Sequence, residues 1–281
     1  MGALLAEVAA LVAGNPTAEP RAEAEILIAH VLGVARTRLW ARPEEAVAPV
    51  AARAALDLAQ RRATGEPIAY LVGRRAFWTL ELEVGPAVLI PRPETELIVE
   101  QALARLPAGP ARVADLGTGS GAVALALAAE RPRWHVVATD SSADALGVAR
   151  RNAERLGLGV DFRHGDWAQA LRPDESFDLI ASNPPYVAAG DPHLVDGDLP
   201  WEPRTALVAG ADGLDAIRGL APAAFQHLAD GGWLLLEHGA TQGDAVRGLL
   251  ARIGLGAVRT MRDLSGLERL TMGRRQTGRL D

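Results

Sequence analysis

Neither cysteine nor lysine occurs in the 281-residue chain, so all 29 of its basic residues are arginine. The absence of cysteine excludes a thiol nucleophile, a thiolate-bound metal and a disulfide framework. The absence of lysine excludes Schiff-base chemistry with a substrate or a pyridoxal cofactor, and it excludes phosphate-binding loops that depend on a lysine. The chemistry of this chain must therefore use other side chains or the backbone.

Long apolar segments are also missing. No stretch approaches the roughly 18–20 apolar residues that span a bilayer. The opening MGALLAEVAALVAG has no basic segment before its apolar residues and contains Glu7, so it predicts an amphipathic helix and not a signal peptide. The six histidines have no metal-ligand spacing, so we expect no metal site. From these observations we expect a cytoplasmic protein.

Positive charge is scarce in most of the chain. Residues 1–75 contain 9 arginines against 8 acidic residues, whereas the remainder contains 20 arginines against 27 acidic residues. The arginine pairs at 61–62 and 74–75 are separated by Glu66, and they predict a solvated helix face rather than a nucleic-acid-binding surface.

Two different sequence patterns divide the chain. Residues 1–75 repeat apolar and charged residues at helical spacing, with proline or glycine breaks that separate several helices. From Phe77, the alternation in FWTLELEVGPAVLI predicts a short β-hairpin. Farther along, apolar runs alternate with helical segments, which is typical of a parallel α/β sheet. We therefore expect a helical domain at 1–75, a hairpin linker at 76–90 and an α/β domain at 91–281.

The α/β part yields a specific set of predicted elements. Strands are expected near Val113–Leu116, His135–Asp140, Val160–His164, Phe177–Ser182 and Trp233–Glu237, then as an antiparallel pair near Ala257–Asp263 and Glu268–Gly273. Helices are expected near Thr95–Arg105, Ala122–Glu130, Ser142–Leu156, Leu214–Leu228 and Gln242–Ile253. Only the tail Arg274–Asp281 is expected to be disordered.

The strongest local feature is VADLGTGSG (Val113–Gly121), a predicted strand that ends in a glycine-rich turn and opens a helix. Such glycines let the backbone turn sharply and let a ligand approach the main chain. Asp140 ends the next strand, at the distance where a carboxylate binds ribose hydroxyls in dinucleotide folds. The glycine spacing differs from the dinucleotide pattern, and Asp115 beside the turn suits a cationic or zwitterionic group. S-adenosylmethionine therefore fits better than a pyrophosphate, and a purely structural turn is the alternative.

A second feature is Asn183-Pro184-Pro185-Tyr186, at the carboxyl end of a predicted strand, where ligands bind in doubly wound sheets. The two prolines cannot continue a central strand, and they hold the backbone in an extended turn. The Asn183 side chain and the Pro184 carbonyl then offer two acceptors to an –NH2 group on a planar carbon, with Tyr186 as a flat surface beside it. This pattern predicts methylation of an amide or an exocyclic amine, and an ordinary rigid loop is the alternative.

Two further segments are candidates for the same site. In LIPRPETE (89–96), Glu94 or Thr95 is suited to cap the helix that follows, and a direct role in the site is an equal alternative. Gly165-Asp166-Trp167 follows the third predicted strand. There, Trp167 is suited to lie against adenine and Asp166 to accept from its amino group, with a core tryptophan as the alternative.

Together these motifs resemble those of the N5-glutamine methyltransferases that modify peptide chain release factors. The resemblance covers nearly the whole chain and includes PIAYL (67–71), LIPRPETE, the glycine turn, Asn-Pro-Pro-Tyr, Glu202-Pro203, Asp212-Gly213-Leu214, Glu237 and Gln242. It implies an α/β protein with a seven-stranded class I (Rossmann-like) methyltransferase sheet, joined by a β-hairpin to a small all-α N-terminal domain for substrate recognition. It also implies S-adenosylmethionine as cofactor and the glutamine of the Gly-Gly-Gln motif of class I release factors as substrate. We expect a monomer without a direct nucleic-acid partner.

The motifs and the resemblance together assign roles to individual residues. Catalysis is assigned to Asn183, Pro184 and Tyr186. The substrate site adds Pro185, Arg92 and Glu94 to these three. The cofactor site is expected to comprise Gly117, Thr118, Gly119, Ser120, Gly121, Asp140, Asp166, Trp167, Asn183 and Thr95. Because two neutral acceptors hold the amide nitrogen and its developing charge, we expect no dedicated general base.

Three other functions are open to a chain with these motifs. A glutamine methyltransferase that acts on a ribosomal protein shares them. An adenine-N6 DNA methyltransferase also methylates an exocyclic amine, but it needs a base-flipping domain and a cationic face, which the acidic α/β part disfavours. A non-catalytic translation-factor-binding module with a relic cofactor fold is disfavoured by the intact glycine and Asn-Pro-Pro-Tyr motifs.

Overall fold

The computed structural model describes residues 1–276, and the chain divides into two units. The first unit contains Met1–Arg74 together with Pro192–Trp201, and the second contains Arg75–Asp191 and the chain from Glu202 onward. Residues 192–201 were expected in the α/β domain, because nothing in their local pattern indicates a return to the helical part. The chain therefore crosses between the two units three times.

The first unit contains five α-helices: α1 (Gly2–Val12), α2 (Pro20–Leu32), α3 (Arg36–Ala41), α4 (Pro49–Ala63) and α5 (Ile68–Val72). Pro20 and Pro49 occupy the first positions of α2 and α4, where the fixed φ of proline suits a helix start. Gly33 ends α2 in the left-handed conformation, at a φ of 63°. Apolar side chains from these helices form the core, among them Leu4, Val8, Val12, Ala24, Leu27, Ile28, Ala55 and Ala59. The all-α character expected for this part of the chain is confirmed.

A buried ion pair joins residues 192–201 to the helices of the first unit. The guanidinium of Arg62, on α4, donates to Glu23 Oε2 at 2.7 Å and to Asp198 Oδ1 at 3.3 Å. Only 4% of the Arg62 side chain is exposed, and a charge that is removed from water to this extent needs such partners. Asp198 therefore contributes to the first unit, although 136 residues separate it from Arg62.

A β-hairpin of two strands, β1 (Arg74–Phe77) and β2 (Leu80–Glu83), leads from the last residue of the first stretch into the second unit. The hairpin is shorter than its sequence pattern predicts, since residues 84–92 have neither helix nor strand. Gly85-Pro86 explains this end point, because proline has no N–H to donate to a neighbouring strand.

The main sheet has seven strands in the order β5-β4-β3-β6-β7-β9-β8. They are β3 (Ala111–Leu116), β4 (Trp134–Asp140), β5 (Asp161–His164), β6 (Phe177–Ser182), β7 (Leu228–Glu237), β8 (Leu255–Arg262) and β9 (Glu268–Arg275). Neighbouring strands are parallel except where β9 is involved, which runs antiparallel to both β7 and β8. The seven-stranded α/β arrangement expected from the resemblance is confirmed.

The last strands extend further than the sequence predicts. β7 begins at Leu228 and not at Trp233, with an irregular register against β6 that accommodates the intervening glycines. β9 continues to Arg275, so Arg274 and Arg275 lie in a strand and not in a disordered tail, because both pair with β8. Residues 277–281 of the predicted tail lie outside the described residues.

Helices cover both faces of this sheet. They are α6 (Glu96–Arg105), α7 (Ala122–Glu130), α8 (Ala143–Leu156), α9 (Asp215–Gln226) and α10 (Gly243–Arg252). Apolar residues of α6 and α7 belong to the core on one face, and those of α9 and α10 belong to the core on the other. Parallel strands need such cover on both sides, because their side chains are apolar on both faces. No helix within residues 1–276 combines the length and the apolar character needed to cross a membrane.

The strand order fixes where a ligand would bind. β3 lies between β4 and β6, so the chain changes direction across the sheet at this point. In open α/β sheets, ligands bind beyond the carboxyl ends of the strands at such a switch point. β3 ends at Leu116 and β6 ends at Ser182, and the Ser182 hydroxyl donates to the Leu116 carbonyl oxygen at 2.6 Å. The glycine turn and the Asn-Pro-Pro-Tyr segment therefore start side by side.

Candidate active site

A cleft opens at the carboxyl ends of the central strands, and most of the predicted site residues line it. They are Arg92, Thr95, Gly117, Thr118, Gly119, Ser120, Asp140, Asp166, Trp167, Asn183 and Pro185. These residues come from segments that are far apart in the sequence. The cleft also contains Asp115, Ser141 and Ser142 in its lining.

The glycine turn provides the floor of this cleft through backbone geometry. The N–H groups of Gly117 and Thr118 both donate to the Thr139 carbonyl oxygen, at 2.8 and 2.9 Å. Gly119 has a φ of +56° and no atom within 4 Å of the position that a Cβ would occupy, so the backbone is open to a ligand there. Gly121 is the N-cap of α7 with a φ of 86°, so it shapes the turn from outside the cleft lining.

Asp140 links the glycine turn to the next strand. Its Oδ2 accepts from the Gly119 N–H at 2.9 Å, and its Oδ1 accepts from the Ser142 N–H at 2.9 Å. A carboxylate has about four acceptor positions. Asp140 therefore holds the turn in place while keeping acceptor capacity for hydroxyl groups in the cleft.

A second carboxyl group, that of Asp115, lies buried under the turn. Burial raises the pKa of Asp115 to about 6, although hydrogen bonds from the Thr118 hydroxyl at 2.6 Å and the Ala124 N–H at 3.2 Å favour the ionised form. The charge of Asp140 raises this pKa further. A cation in the cleft would stabilise both carboxylates, so this pair suits a positively charged or zwitterionic ligand.

Trp167 forms one wall of the cleft in a strained conformation. Its φ is 44°, in the left-handed region that bulky residues rarely adopt. The indole packs so closely on Gly117 that a Cβ there would lie 2.6 Å from the ring. Asp166, the residue before Trp167 in the sequence, also lines the cleft. Strain of this kind is typical of functional positions, which favours a ligand-binding role for Trp167 over a purely structural one.

Thr95 does not cap a helix, contrary to one of the two sequence interpretations. It occupies the N-cap position of α6 without a side-chain capping hydrogen bond, and Glu94 lies in the preceding 3₁₀ turn, which likewise lacks such a bond. The Thr95 hydroxyl instead accepts from Asn183 Nδ2 at 3.0 Å. The hydrogen bond of Thr95 is therefore to Asn183, 88 residues away in the sequence, and not to the start of its own helix. The amide of Asn183 is therefore held from its nitrogen side.

The Asn-Pro-Pro-Tyr segment is anchored at its far end by Gln242. Gln242 Nε2 donates to the Tyr186 carbonyl oxygen at 3.0 Å, and Gln242 Oε1 accepts from the Gly239 N–H at 2.8 Å. Gly213 approaches from the other side, where a Cβ would lie 2.2 Å from the same Tyr186 oxygen. The backbone of this segment is thus held in one position. Position 242 needs a side chain that both donates and accepts, and position 213 needs a residue without a Cβ.

Some predicted site residues lie away from the cleft lining. The Tyr186 hydroxyl donates to Glu237 Oε1 at 3.4 Å, and burial raises the pKa of Tyr186. Pro184 is buried. Glu94 lines a different cleft, beside Trp78 and Glu96. The catalytic and substrate-binding roles assigned to these residues stay predictions.

Sequence reasoning missed three polar residues that support the site. Glu202 is buried, accepts from the Ile90 N–H at 2.9 Å and forms an ion pair with Arg92. Gln242 anchors the Tyr186 carbonyl, as described above. Glu237 lies buried at the end of β7. All three occur in the motifs that carry the family resemblance, but their local sequence gives no sign of the long-range contacts.

Comparison with known proteins identifies the family. Residues 94–196 match the family model described as Methyltransferase small domain, and residues 3–73 match the PrmC N-terminal domain. A release factor glutamine methyltransferase from Xylella fastidiosa (strain Temecula1) is 54% identical, over 94% of this chain and 97% of the relative. The chain belongs to the release factor glutamine methyltransferase family. The family resemblance noted in the sequence is confirmed.

Other comparisons agree with this family assignment. A release factor glutamine methyltransferase from Escherichia coli (strain K12) is 48% identical, over 91% of this chain and 92% of the relative. Among solved structures, a methyltransferase from Pyrococcus furiosus matches with a TM-score of 0.54 and 21% identity, over 72% of this chain and 91% of that one. This structural likeness supports the fold alone, while the sequence relatives carry the family assignment.

The position of Asp140 leads to a prediction about cofactor binding in this family member. Replacing Asp140 with asparagine puts an NH2 group against one of the two backbone N–H donors and removes a charge. Hydrogen bonds to charged groups contribute about 1.5–3 kcal/mol, so we expect the affinity for the cofactor to fall roughly 10- to 100-fold. Calorimetric titration with S-adenosylmethionine measures this change. Asp174→Asn, which removes an exposed carboxylate between α8 and β6, is the matched control and should bind like the unmodified protein.

Proposed function

We propose that this enzyme transfers a methyl group from S-adenosylmethionine to the side-chain amide nitrogen of a glutamine. The proposed substrate is the glutamine of the Gly-Gly-Gln motif in class I peptide chain release factors. The names of the relatives support release factors and glutamine as the target. The observation that carries the proposal is the position of Asn183 in the cleft, where Thr95 holds its Nδ2 and Oδ1 lies on the opposite side of the amide.

Two acceptors suit the chemistry of an amide nitrogen. This nitrogen is a poor nucleophile because its lone pair is delocalised into the carbonyl group. In our proposal, Asn183 Oδ1 and the Pro184 carbonyl oxygen each accept one N–H of the substrate. They hold the nitrogen in line with the methyl group and stabilise the positive charge that develops on it. The proton becomes acidic only as the N–C bond forms and then leaves to water, so no dedicated general base is needed.

The residues of the cleft fit S-adenosylmethionine. When bound, this cofactor supplies an electrophilic methyl group on a sulfonium. The open backbone at Gly119 and the acidic Asp115 suit its zwitterionic methionine end, and the remaining acceptor capacity of Asp140 suits its ribose hydroxyls. Trp167 offers a flat surface for the adenine, with Asp166 as an acceptor for the adenine amino group. We assign Arg92, which pairs with Glu202 and lines the same cleft, to contact with the substrate.

The partner is proposed to be a protein. We assign docking of the release factor to the helical domain at 1–75, joined by the hairpin linker at 76–90 to the methyltransferase domain at 91–281. The match of residues 3–73 to the PrmC N-terminal domain supports this division. The acidic excess of residues 76–281 disfavours a nucleic-acid substrate. We further propose that the enzyme acts as a monomer in the cytoplasm, where release factors function.

A methylation assay with separate substrates tests the proposed function. The enzyme is incubated with labelled S-adenosylmethionine and, in parallel, with a class I release factor, with ribosomes and with DNA. Label should appear in the release factor, on the glutamine of Gly-Gly-Gln, and a release factor with alanine at that position should stay unlabelled. Label in a ribosomal protein or in DNA, with none in the release factor, would contradict the proposal.

A further inference from the structure

A fully buried histidine lies directly after β7, outside the cleft lining. His238 follows the last residue of the strand and is 0% exposed. Its Nδ1 lies 2.9 Å from the Gly239 carbonyl oxygen, and its Nε2 lies 2.8 Å from the Thr271 hydroxyl. Both ring nitrogens therefore have partners, and the direction of the two hydrogen bonds determines what this side chain can do.

A continuous chain of hydrogen bonds fixes the proton of the His238 ring. The Gly239 carbonyl oxygen can only accept, so His238 Nδ1 carries the proton and donates. In the neutral ring, Nε2 then accepts from the Thr271 hydroxyl, which lies 2.7 Å from the hydroxyl of Thr260. Arg247, whose side chain has donors alone, donates to Thr260 Oγ1 at 2.6 Å. In this order each hydroxyl accepts one hydrogen bond and donates one, so every group of the chain is satisfied.

A second proton on the ring would break this order. Nε2 would then donate to Thr271, and the Thr271 proton would turn toward Thr260. Thr260 would receive donors from both Thr271 and Arg247, while its own proton would lose its acceptor in the chain. The hydrogen bonds therefore favour the neutral ring with its proton on Nδ1.

The surroundings of the ring act in the same direction. Burial lowers the pKa of His238 below its ordinary value of 6.5. The hydrogen bond to Gly239 and the charge of Glu268 raise this pKa, but the charges of Arg247 and Arg269 lower it. His238 is therefore a neutral donor that is aimed at the Gly239 peptide.

The Gly239 peptide connects His238 to the Asn-Pro-Pro-Tyr segment. Its N–H donates to Gln242 Oε1 at 2.8 Å, and its carbonyl oxygen also accepts from the Gln242 backbone N–H at 2.9 Å. Gln242 Nε2 in turn donates to the carbonyl oxygens of Tyr186 and Asp212, at 3.0 and 3.1 Å. The His238 proton thus helps to fix the peptide that orients the Gln242 amide.

The two ends of the segment limit where its backbone can go. Asn183 is held at one end by Thr95, and Tyr186 is held at the other end by Gln242. The two prolines between them have a fixed φ, so the backbone can move little unless one end shifts. The direction of the Pro184 carbonyl, the second acceptor of the proposed mechanism, therefore depends on the anchor at Tyr186.

Building on the function proposed above, we propose that His238 is a positioning residue for methyl transfer. Through Gly239 and Gln242 it keeps the Pro184 carbonyl oxygen where it accepts from the substrate amide. His238 does not line the cleft, so its loss should lower kcat and leave the KM for S-adenosylmethionine nearly unchanged.

Two substitutions separate this role from simple packing. Asparagine places an amide nitrogen near the position of the ring Nδ1, so His238→Asn can still donate to Gly239. Glutamine reaches the position of Nε2 instead, so His238→Gln keeps a partner for Thr271 but loses the donor to Gly239. We expect kcat per folded molecule to fall roughly 10- to 100-fold in His238→Gln, as when a group next to the reacting atoms is misplaced. In His238→Asn, kcat should stay close to that of the unmodified enzyme.

The free energy of unfolding should rank the same variants in the opposite order. Asparagine leaves a cavity at this fully buried position, whereas glutamine fills most of the volume of histidine. A purely structural role would therefore make His238→Asn the slower enzyme. The matched control is His227→Gln, because His227 directly precedes β7 and its Nδ1 likewise bonds a backbone carbonyl oxygen, that of Glu175, at 3.0 Å. This control should keep kcat.

The position of the ring proton can be observed without turnover. Long-range proton–nitrogen correlation spectra of the isotope-labelled protein distinguish the two neutral tautomers, and loss of signals in His238→Gln assigns those of His238. The ring should remain neutral at pH 6.5 with its proton on Nδ1. A proton on Nε2, or a kcat of His238→Gln that equals or exceeds that of His238→Asn, would overturn the positioning role. An unmodified enzyme that leaves release factor unlabelled would instead contradict the proposed function, and the spectra would still decide the tautomer.

Discussion

Replacing Asn183 with alanine should remove most methyl transfer while leaving the affinity for S-adenosylmethionine within several-fold. The substitution deletes the Oδ1 acceptor, which in the proposed mechanism is one of the two groups that orient the amide nitrogen and stabilise its developing charge. Removing one such group in other enzymes costs about 10²–10³-fold in kcat, and we expect an effect of this size. Single-turnover methylation of a release factor measures the rate, and calorimetric titration measures the affinity for the cofactor.

The control for this prediction is Asn15, a buried asparagine of the first unit. Asn15 donates to the Arg62 carbonyl oxygen at 3.2 Å and accepts from Thr17 in the first unit. Asn15→Ala should lower the free energy of unfolding but leave kcat nearly unchanged, because neither Asn15 nor its partners Arg62 and Thr17 line the cleft. If Asn183→Ala turned over release factor at the rate of the unmodified enzyme, the acceptor role of Asn183 would be wrong.

Gly213→Ala is expected to have the second large effect, through the backbone of the Asn-Pro-Pro-Tyr segment. Gly213 has a φ of +75°, and an added Cβ would lie 2.2 Å from the Tyr186 carbonyl oxygen and 2.9 Å from its carbonyl carbon. These are backbone atoms that Gln242 holds in place, so they cannot rotate away as a flexible side chain would. The segment must shift, and a displacement near the reacting atoms costs on the order of 100-fold in kcat.

Gly266→Ala separates the steric effect from the cost of the backbone conformation. Gly266 has a φ of +79°, but nothing lies within 4 Å of the position of its Cβ. A left-handed conformation costs a non-glycine residue about 1–2 kcal/mol, so both variants should lose this much stability. Only Gly213→Ala should lose kcat when the rate is expressed per folded molecule. Equal kcat values for the two variants would show that the contact with Tyr186 does not matter for catalysis.

The fold followed from the sequence wherever local patterns determine the structure. Apolar runs long enough for a buried strand, separated by amphipathic helices, predicted the central parallel strands within a few residues. The Gly117–Gly121 turn and Asp140 were also predictable, because a strand, a tight turn and a helix follow one another directly in the chain. β7 and β9 were predicted too short, since Asp230-Gly231-Gly232 and Arg274-Arg275 look like loop or tail in local sequence. Pairing with a neighbouring strand overrides such local preferences.

The supporting contacts of the site could not be predicted in the same way. Thr95 has the sequence context of a helix cap, and only the packing of the strand ends brings it to Asn183. Glu237 follows an apolar run and lies two residues before Gly239, which is typical of a strand end at the surface, yet it is buried. Arg62 and Asp198, which pair with each other, are 136 residues apart in the sequence. In each case the deciding partner is distant in sequence, and its identity follows from the three-dimensional arrangement rather than from spacing.

The three crossings of the chain between the two units affect how parts of this enzyme can be exchanged with its relatives. The first unit is assembled from two separate stretches, so a graft of residues 1–74 alone would transfer an incomplete unit. Incoming helices would have to supply a partner for the resident Asp198, and Arg62 of this chain, if moved into a relative, would keep Glu23 but not Asp198. A chimera that exchanges the first unit must therefore carry residues 192–201 together with the N-terminal helices.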